Sequence, residues 1–383
     1  MTISLFQEIV KALPRRQIEH IVATHESDKW TKKLGTFEHL LVMIYAQLSG
    51  HTSLRDLEAS FNASPQRHYH LGAQTVKRST LSDANATRPA AVFEDILALL
   101  LSGMSRQAAQ NAKVAHDLIR ILDSTTIGLF AKTHRALRYR SNNSAIKLHL
   151  MLDPASEAPV WFALTPARFH DSKVCGDLPL HAGETYVFGR AYNNADFWNI
   201  IDRAGAVFVT RPKTTLAFDV IAGRLHPNSL VVADETIRLA RKPGEKYQKP
   251  LRRVEVMDEE NGRTIAFITN DFERSPEDVA SLYRRRWQIE TFFKWLKQNL
   301  KIRRFLAKNP KAIRLQIITA LIAYVLLKLL HQAQRIAIPL KRVAALARTY
   351  LFNQNGIQAL LKPPNKPPPD SNQNQLTLNF PGQ

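Results

Sequence analysis

The chain is short of several things, and each shortage excludes a class of protein. It holds one cysteine, Cys175, in 383 residues, so no disulfide can close within it and a thiolate zinc cluster is excluded. Such usage fits a reducing compartment. The 13 histidines are scattered and never form H-E-x-x-H, which removes the zinc-protease helix; His68 and His70 read as loop residues rather than ligands. Acid is scarce, with 33 Asp and Glu against 53 Lys and Arg. The opening MTISLFQEIVKALPRRQ lacks a secretory pattern. The most apolar run, Ile317 to Leu327, is bounded by Gln316 and Lys328 and is short for a bilayer, so it reads as a buried helix. A cytoplasmic protein with no membrane partner is the expectation.

What is present is ordinary in bulk and unusual in charge. A hydrophobic content of 45% and a charged content of 22% are those of a globular protein, long enough for two or three domains. The formal charge of +20 calls for a polyanionic partner, and nucleic acid is the commonest. An anionic membrane surface competes, but no strongly amphipathic basic helix stands at either terminus.

Along the chain the pattern changes twice. Residues 1–110 read as helical, with a helix from Phe37 to Leu48 entered by Thr36, another begun by Ser53, and a polar segment from Val76 to Arg88. Two helices followed by a Ser/Thr/Asn/Arg-rich segment suit either a major-groove reader or a plain helical cap. Near residue 117 strands take over: Leu118 to Leu122, Ile146 to Leu152, Val160 to Leu164 and Tyr186 to Phe188, then a helix over 193–204 and a strand from Ala206 to Thr210. Strands first, then alternation with a helix, give an α/β fold with a mixed sheet. Residues 213–262 are turn-rich, with strands at Leu230 to Ala233, Ile237 to Ala240 and the pair Arg252 to Met257 and Thr264 to Ile268, joined through Asn261-Gly262. Helices follow to 361, and residues 362–383, rich in Pro, Asn and Gln, cannot build a core and read as a disordered tail.

The densest information lies in SLYRRRWQIETFFKWLKQNLK, residues 281 to 301. On one continuous helix, Tyr283, Arg286, Glu290 and Lys297 fall within about 60° of one another. Ile289, Phe293, Leu296 and Leu300 make an apolar stripe beside them. Arg284, Arg285, Arg286, Lys294, Lys297, Lys301, Arg303 and Arg304 surround Glu290 as the one acid. The simplest alternative is a solvated charged face. The unbalanced cation block favours an external polyanion, with a carboxylate at a metal beside a phosphate. Asp123, after the apolar LIRIL, is a second carboxylate; it either meets a metal or begins a turn.

The spacing Y-x2-R-x3-E-x6-K resembles the signature of DDE transposases of bacterial insertion sequences, in the insertion-sequence-four-type group. The resemblance implies a ribonuclease-H-like mixed sheet (111–212 and 263–361) interrupted by a β-rich insertion (213–262) and preceded by a helical DNA-end-binding domain (1–110). It implies a DNA transposase that binds terminal inverted repeats and performs metal-dependent strand cleavage and transfer, using two Mg2+ or Mn2+ ions. Double-stranded DNA, both the transposon ends and the target, would be the partner, with a homodimer forming on it and the protein placed at the bacterial nucleoid. Asp123 and Glu290 become catalytic, metal-holding acids; Tyr283, Arg286 and Lys297 become DNA-backbone contacts.

One acid is missing. The family places its second Asp at the end of the fourth strand, in a segment resembling V-F-D-[RK]-[GA]-Y, and here Val187-Phe188-Gly189-Arg190-Ala191-Tyr192 puts glycine at that position. Impaired catalysis is expected, because an ion loses an anchor and its charge balance. Asp153, Asp171 and Asp196 are the nearby acids that could replace it. Two alternatives stay open: a sequence-specific DNA-binding protein that cannot cut, and a ribonuclease-H-like nuclease. Some relatives stack an extruded base on a tryptophan of the insertion, but 213–262 holds none, and Tyr247 is the one large aromatic in its KPGEKYQKP loop.

Overall fold

The computed structural model describes residues 3–111, 118–129, 138–140, 143–226, 230–300, 302, 305–306, 309–353 and 356–361. The expected tail at 362–383, and Lys301, Arg303 and Arg304, lie outside the described residues.

The first third is helical, as its spacing predicts: α1 (Leu5–Val10), α2 (Arg15–Thr24), α3 (Thr36–Ser49), α4 (Leu54–Asn62), α5 (Arg78–Thr87) and α6 (Ala90–Asn111). Local chemistry sets the ends. Ser4 and Gln7 form a capping box on α1, Ser53 accepts the Asp56 N–H at the start of α4, and Gly50 closes α3 at a left-handed φ of 76°. From His39 to Leu48 every side chain of α3 is buried, so its hydrophobic circumference must be covered on all sides.

The cover comes from the far end of the chain. α11 (Pro310–Ala333) is longer than the apolar run that predicts it, because Asn309 caps it and Pro310 opens it two turns earlier. By length and composition it could cross a membrane, yet 83% of its apolar window is buried. It packs against α3, α6 and α12 (Leu340–Tyr350), which explains its apolarity without a bilayer. One core joins residues of 5–104 to residues of 279–357, so the N-terminal helices are not free-standing.

Among the described residues, the middle of the chain builds a ten-strand sheet. The strands are β1 (Ile119–Leu129), β2 (Arg138–Arg140), β3 (Asn143–Asp153), β4 (Ala158–Pro166), β5 (Thr185–Phe188), β6 (Val207–Thr210), β7 (Phe218–Gly223), β8 (Val231–Leu239), β9 (Leu251–Asp258) and β10 (Arg263–Thr269). β1 pairs antiparallel with β3 and parallel with β5, which is parallel to β6. Both faces are covered: Val187 joins the helical core, while Tyr186 and Phe188 join a second core with Trp198 of α7 (Ala195–Arg203) and Phe208.

Three expectations need correction. β1 does not stop at Leu122; Ser124, Thr125 and Thr126 continue it, since β3 offers an antiparallel partner as far as Leu129 and β-branched residues suit a strand. The runs Leu230 to Ala233 and Ile237 to Ala240 are one strand, β8, with a bulge near Ala233. β7 carries too many exposed side chains for its pattern to show. The β9–β10 hairpin turns through Gly262 at φ 59° as expected, and β10 pairs with β6. The 213–262 segment therefore extends the central sheet.

Candidate active site

The parallel register of β1 and β5 ends at Leu122↔Phe188, so Asp123 of β1 and Gly189, the residue that follows β5, come next side by side. Carboxyl ends of parallel strands are where α/β sheets place ligands. Gly189 has extended backbone, φ −79° and ψ 169°, which any residue adopts. Among the described residues, a Cβ built on it would meet the Arg286 guanidinium alone, at 4.0 Å. The position is open to a side chain and has none.

Glu290 arrives from below on a broken helix. α9 (Pro276–Arg285) starts at the Ser275 cap, whose hydroxyl accepts the Asp278 N–H, and α10 runs from Trp287 to Asn299. Between them Arg286 interrupts the expected single helix: its N–H bonds the Tyr283 carbonyl and its own carbonyl accepts from Ile289, both three residues apart. The motif still converges. Arg286 Nη1 donates to Asp123 Oδ2 at 2.6 Å and Nη2 to Glu290 Oε1 at 2.5 Å, so one guanidinium spans both acids. Lys297 Nζ donates to the hydroxyl of Thr125, on the same face of β1 as Asp123. The Tyr283 ring lies 5.6 Å from the Arg286 guanidinium carbon and 5.2 Å from the Phe267 ring. Ile289, Phe293, Leu296 and Leu300 are buried, which fixes the face the motif presents.

The electrostatics are set by burial and by crowding of acids. Burial raises the Asp123 carboxyl above its ordinary value; the Ser124 N–H and Arg286 pull it down, and Glu290 and Asp171 push it up again. Burial likewise raises Tyr283. Arg286 is pushed down by burial, but Tyr283, Asp123 and Glu290 more than offset that, so its guanidinium is held charged.

Among the candidate replacement acids, Asp171 comes closest. It is 9% exposed, its Oδ2 accepts from Ser124 Oγ at 3.2 Å and its Oδ1 from Lys147 Nζ at 2.6 Å. Ser124 alternates away from Asp123 along β1, so Asp171 serves the opposite face of the strand and its oxygens are engaged. His149, fully buried, bridges Tyr192 and Thr165 at 3.1 and 2.9 Å beside it. Asp153 sits at the other end of β3 near Arg120, and Asp196 pairs with Lys246 at 2.5 Å. None stands at Gly189. Among the described residues no cluster of three or more His, Cys, Asp or Glu could hold a metal ion. The donor set is two carboxylates joined by a cation.

Arg211 is a residue the sequence reading passes over. It follows β6, the strand beside β5, and its Nε is buried without a hydrogen-bond partner among the described residues. Burial lowers its pKa, as do Arg190, Arg263 and Arg286 nearby, while Tyr283 raises it. A basic residue directly after a parallel strand was the available signal. Tyr247, by contrast, is 2% exposed in the second core and presents no face for stacking.

With this geometry in hand, the relatives are informative. A family model described as Transposase DDE domain matches residues 115–326, and a second, Domain of unknown function DUF4372, matches residues 1–74. The chain is 37% identical over 294 residues to transposase y4zB of Sinorhizobium fredii, covering 74% of this chain and 80% of that one. It is 30% identical over 256 residues to a transposase for insertion sequence element IS5377 of Geobacillus stearothermophilus, covering 66% and 67%. A transposase for insertion sequence element IS4SA of a Synechocystis strain is 27% identical over 326 residues, covering 81% and 87%. The chain belongs to the DDE transposases of bacterial insertion sequences, in the insertion-sequence-four-type group.

Proposed function

We propose that this chain is a transposase that binds the terminal inverted repeats of an insertion sequence, and that its strand cleavage and transfer are impaired by Gly189. The observation that carries the reading is the single guanidinium of Arg286 bonded to both Asp123 and Glu290. It brings an acid from β1 and an acid from α10 to one point at the ends of parallel strands. The order β4-β3-β1-β5-β6, antiparallel on one side of β1 and parallel on the other, supports a ribonuclease-H-like core divided as the sequence suggests, with 1–110 as the DNA-end-binding part.

Asp123 and Glu290 suit a hard divalent ion, Mg2+ or Mn2+, which prefers oxygen ligands. Bound there, such an ion would polarise the scissile phosphate and lower the pKa of an attacking hydroxyl. The residues fit one ion in part; a pair lacks the carboxylate that position 189 would supply. Arg286 must release the acids for that, and its guanidinium then faces the phosphate backbone together with Tyr283 and Lys297. A homodimer on paired DNA ends completes the reading.

A second reading has its own support: a protein that holds the repeats without cutting them. Gly189 offers no ligand, and both acids are already engaged by the Arg286 guanidinium. The test compares the Gly189 protein with Gly189→Asp, each with Mg2+ or Mn2+ and a duplex carrying the DNA that flanks the gene. The transposase reading expects weak nicking at the element's end by the first and strong nicking by the second. Binding with no cleavage by the first and cleavage by the second selects the binder. Equal cutting of unrelated duplexes by both overturns either in favour of a nuclease.

A further inference from the structure

Between α2 and α3 the chain passes through a loop that holds Trp30 in solvent, 90% exposed. Its backbone stands at φ 65°, a left-handed conformation that is costly for a bulky residue. The loop is nevertheless well tied. The Thr36 N–H and hydroxyl both donate to Asp28 Oδ1 at 2.7 Å, the Ser27 and Thr36 hydroxyls meet at 2.8 Å, and the Thr31 N–H reaches the Asp28 carbonyl at 2.9 Å. Buried Arg88 donates to the carbonyl of Leu34. These bonds fix a large aromatic outward on a strained backbone, which local stability alone does not explain.

The surroundings say what it meets. Lys32 and Lys33 are exposed beside it, and Lys77 and Arg78 are exposed at the start of α5, the helix that forms the far wall of a cleft against this loop through Thr80 and Thr87. Among the described residues the acids lining the cleft are Glu26, which is engaged by Lys29 at 2.7 Å, and Asp83 of α5, while Asp28 is engaged by Thr36; Lys32 and Lys33 are left to act as cations. An exposed aromatic among unbalanced cations is the composition of a nucleic-acid contact: the ring offers a face to any base and the cations neutralise phosphates. We propose that Trp30 stacks on an unpaired or unstacked base of bound DNA while Lys32 and Lys33 engage the adjoining phosphates. This rests on the DNA-binding reading above and adds to it a stacking residue in the segment of unknown function.

The experiment uses the full chain and two fluorescein-labelled duplexes, one with the DNA flanking the gene and one of mixed sequence, with anisotropy read over a salt series. Trp30→Ala should weaken binding about tenfold or more and leave the salt dependence unchanged. Lys32→Ala with Lys33→Ala should lower the log–log salt slope by about two. Trp30→Gly separates binding from folding: glycine accepts the positive φ, so its melting temperature should rise while its binding falls like that of Trp30→Ala. Unchanged affinity in both Trp30 variants, or an unchanged slope without the lysines, overturns the proposal and leaves the transposase reading standing. A shift from dimer to monomer with DNA affinity intact also overturns it and assigns the loop to a second copy. A wild-type chain that binds neither duplex removes the DNA-binding reading itself.

Discussion

Asp123 and Arg286 meet at 2.6 Å across the gap between β1 and the helix junction, and the same guanidinium holds Glu290 at 2.5 Å. One cation thus does for two acids what a metal ion would do, and removing it should expose their repulsion. Arg286→Ala should destabilise the protein by about 1–3 kcal/mol, the scale of losing hydrogen bonds to charged groups. Added Mn2+ should restore much of that loss, because the freed carboxylates gain a cation to bind. Thermal melts with EDTA and with Mn2+ measure both. A variant whose melting point ignores Mn2+ would show that the two acids do not form a metal site.

Gly189 follows β5 next to Asp123 in extended backbone, and a Cβ there would touch the Arg286 guanidinium at no less than 4.0 Å. Gly189→Asp should therefore fold normally and place a third carboxylate beside the first. Cleavage of end-containing duplex should rise by roughly two or more orders of magnitude, since metal-holding carboxylates carry losses of that size. Adding Glu290→Gln should abolish the gain while duplex binding persists. Cleavage that survives Glu290→Gln would remove α10 from the chemistry.

Two histidines set a pH dependence separate from that of Asp123 and Glu290, though Asp171 beside His149 partly opposes the effect of burial there. Burial lowers His39 to about 3 and His149 to about 4, from an ordinary 6.5, so both are neutral in the fold at pH 7. The unfolded chain takes up protons at a higher pH than the folded one. Stability is thus complete above about 6.5 and is lost as the pH falls toward 4, on the order of 2–3 kcal/mol for each group. His149→Gln retains hydrogen bonding to Thr165 and Tyr192 without the titration, and should flatten the melting-temperature profile between pH 6.5 and 4. A profile as steep as that of the parent would mean His149 titrates normally.

Much of the candidate site's geometry was legible because it rests on local spacing. Tyr283, Arg286, Glu290 and Lys297 converge as a helical period predicts, and the apolar stripe from Ile289 to Leu300 is buried as written. The break at Arg286 was not legible, since it follows from a single peptide turning tighter to aim a guanidinium at a strand far away in sequence. Asp123 was singled out by the apolar run before it together with the family resemblance, yet the strand's continuation depended on β3, a partner that no local pattern reveals. Arg211 was missed for the same reason: its meaning comes from β6 lying beside β5. Exposed Trp30 is silent in a sequence, where an indole reads as core until its surroundings are known.

The hardest question the sequence raised is whether Asp171 replaces the absent acid, and the geometry argues against it. Both Asp171 oxygens are engaged, by Lys147 at 2.6 Å and Ser124 at 3.2 Å, on the face of β1 that points away from Glu290. The pair is nearly buried, with side-chain exposures of 14% for Lys147 and 11% for Asp171, so severing it strands a charge. Lys147→Met should destabilise the fold by about 3–5 kcal/mol, and pairing it with Asp171→Leu should recover part of that loss, because no charge is then left unmatched. A structural role predicts that Asp171→Asn, in the Gly189→Asp protein, retains cleavage within about tenfold once the folded fraction is matched; loss of a metal ligand would cost far more. Cleavage abolished in folded Asp171→Asn protein, with Mn2+ affinity falling in step, would instead place Asp171 among the metal-holding acids and turn the Lys147 pair into a reserve that opens when an ion binds.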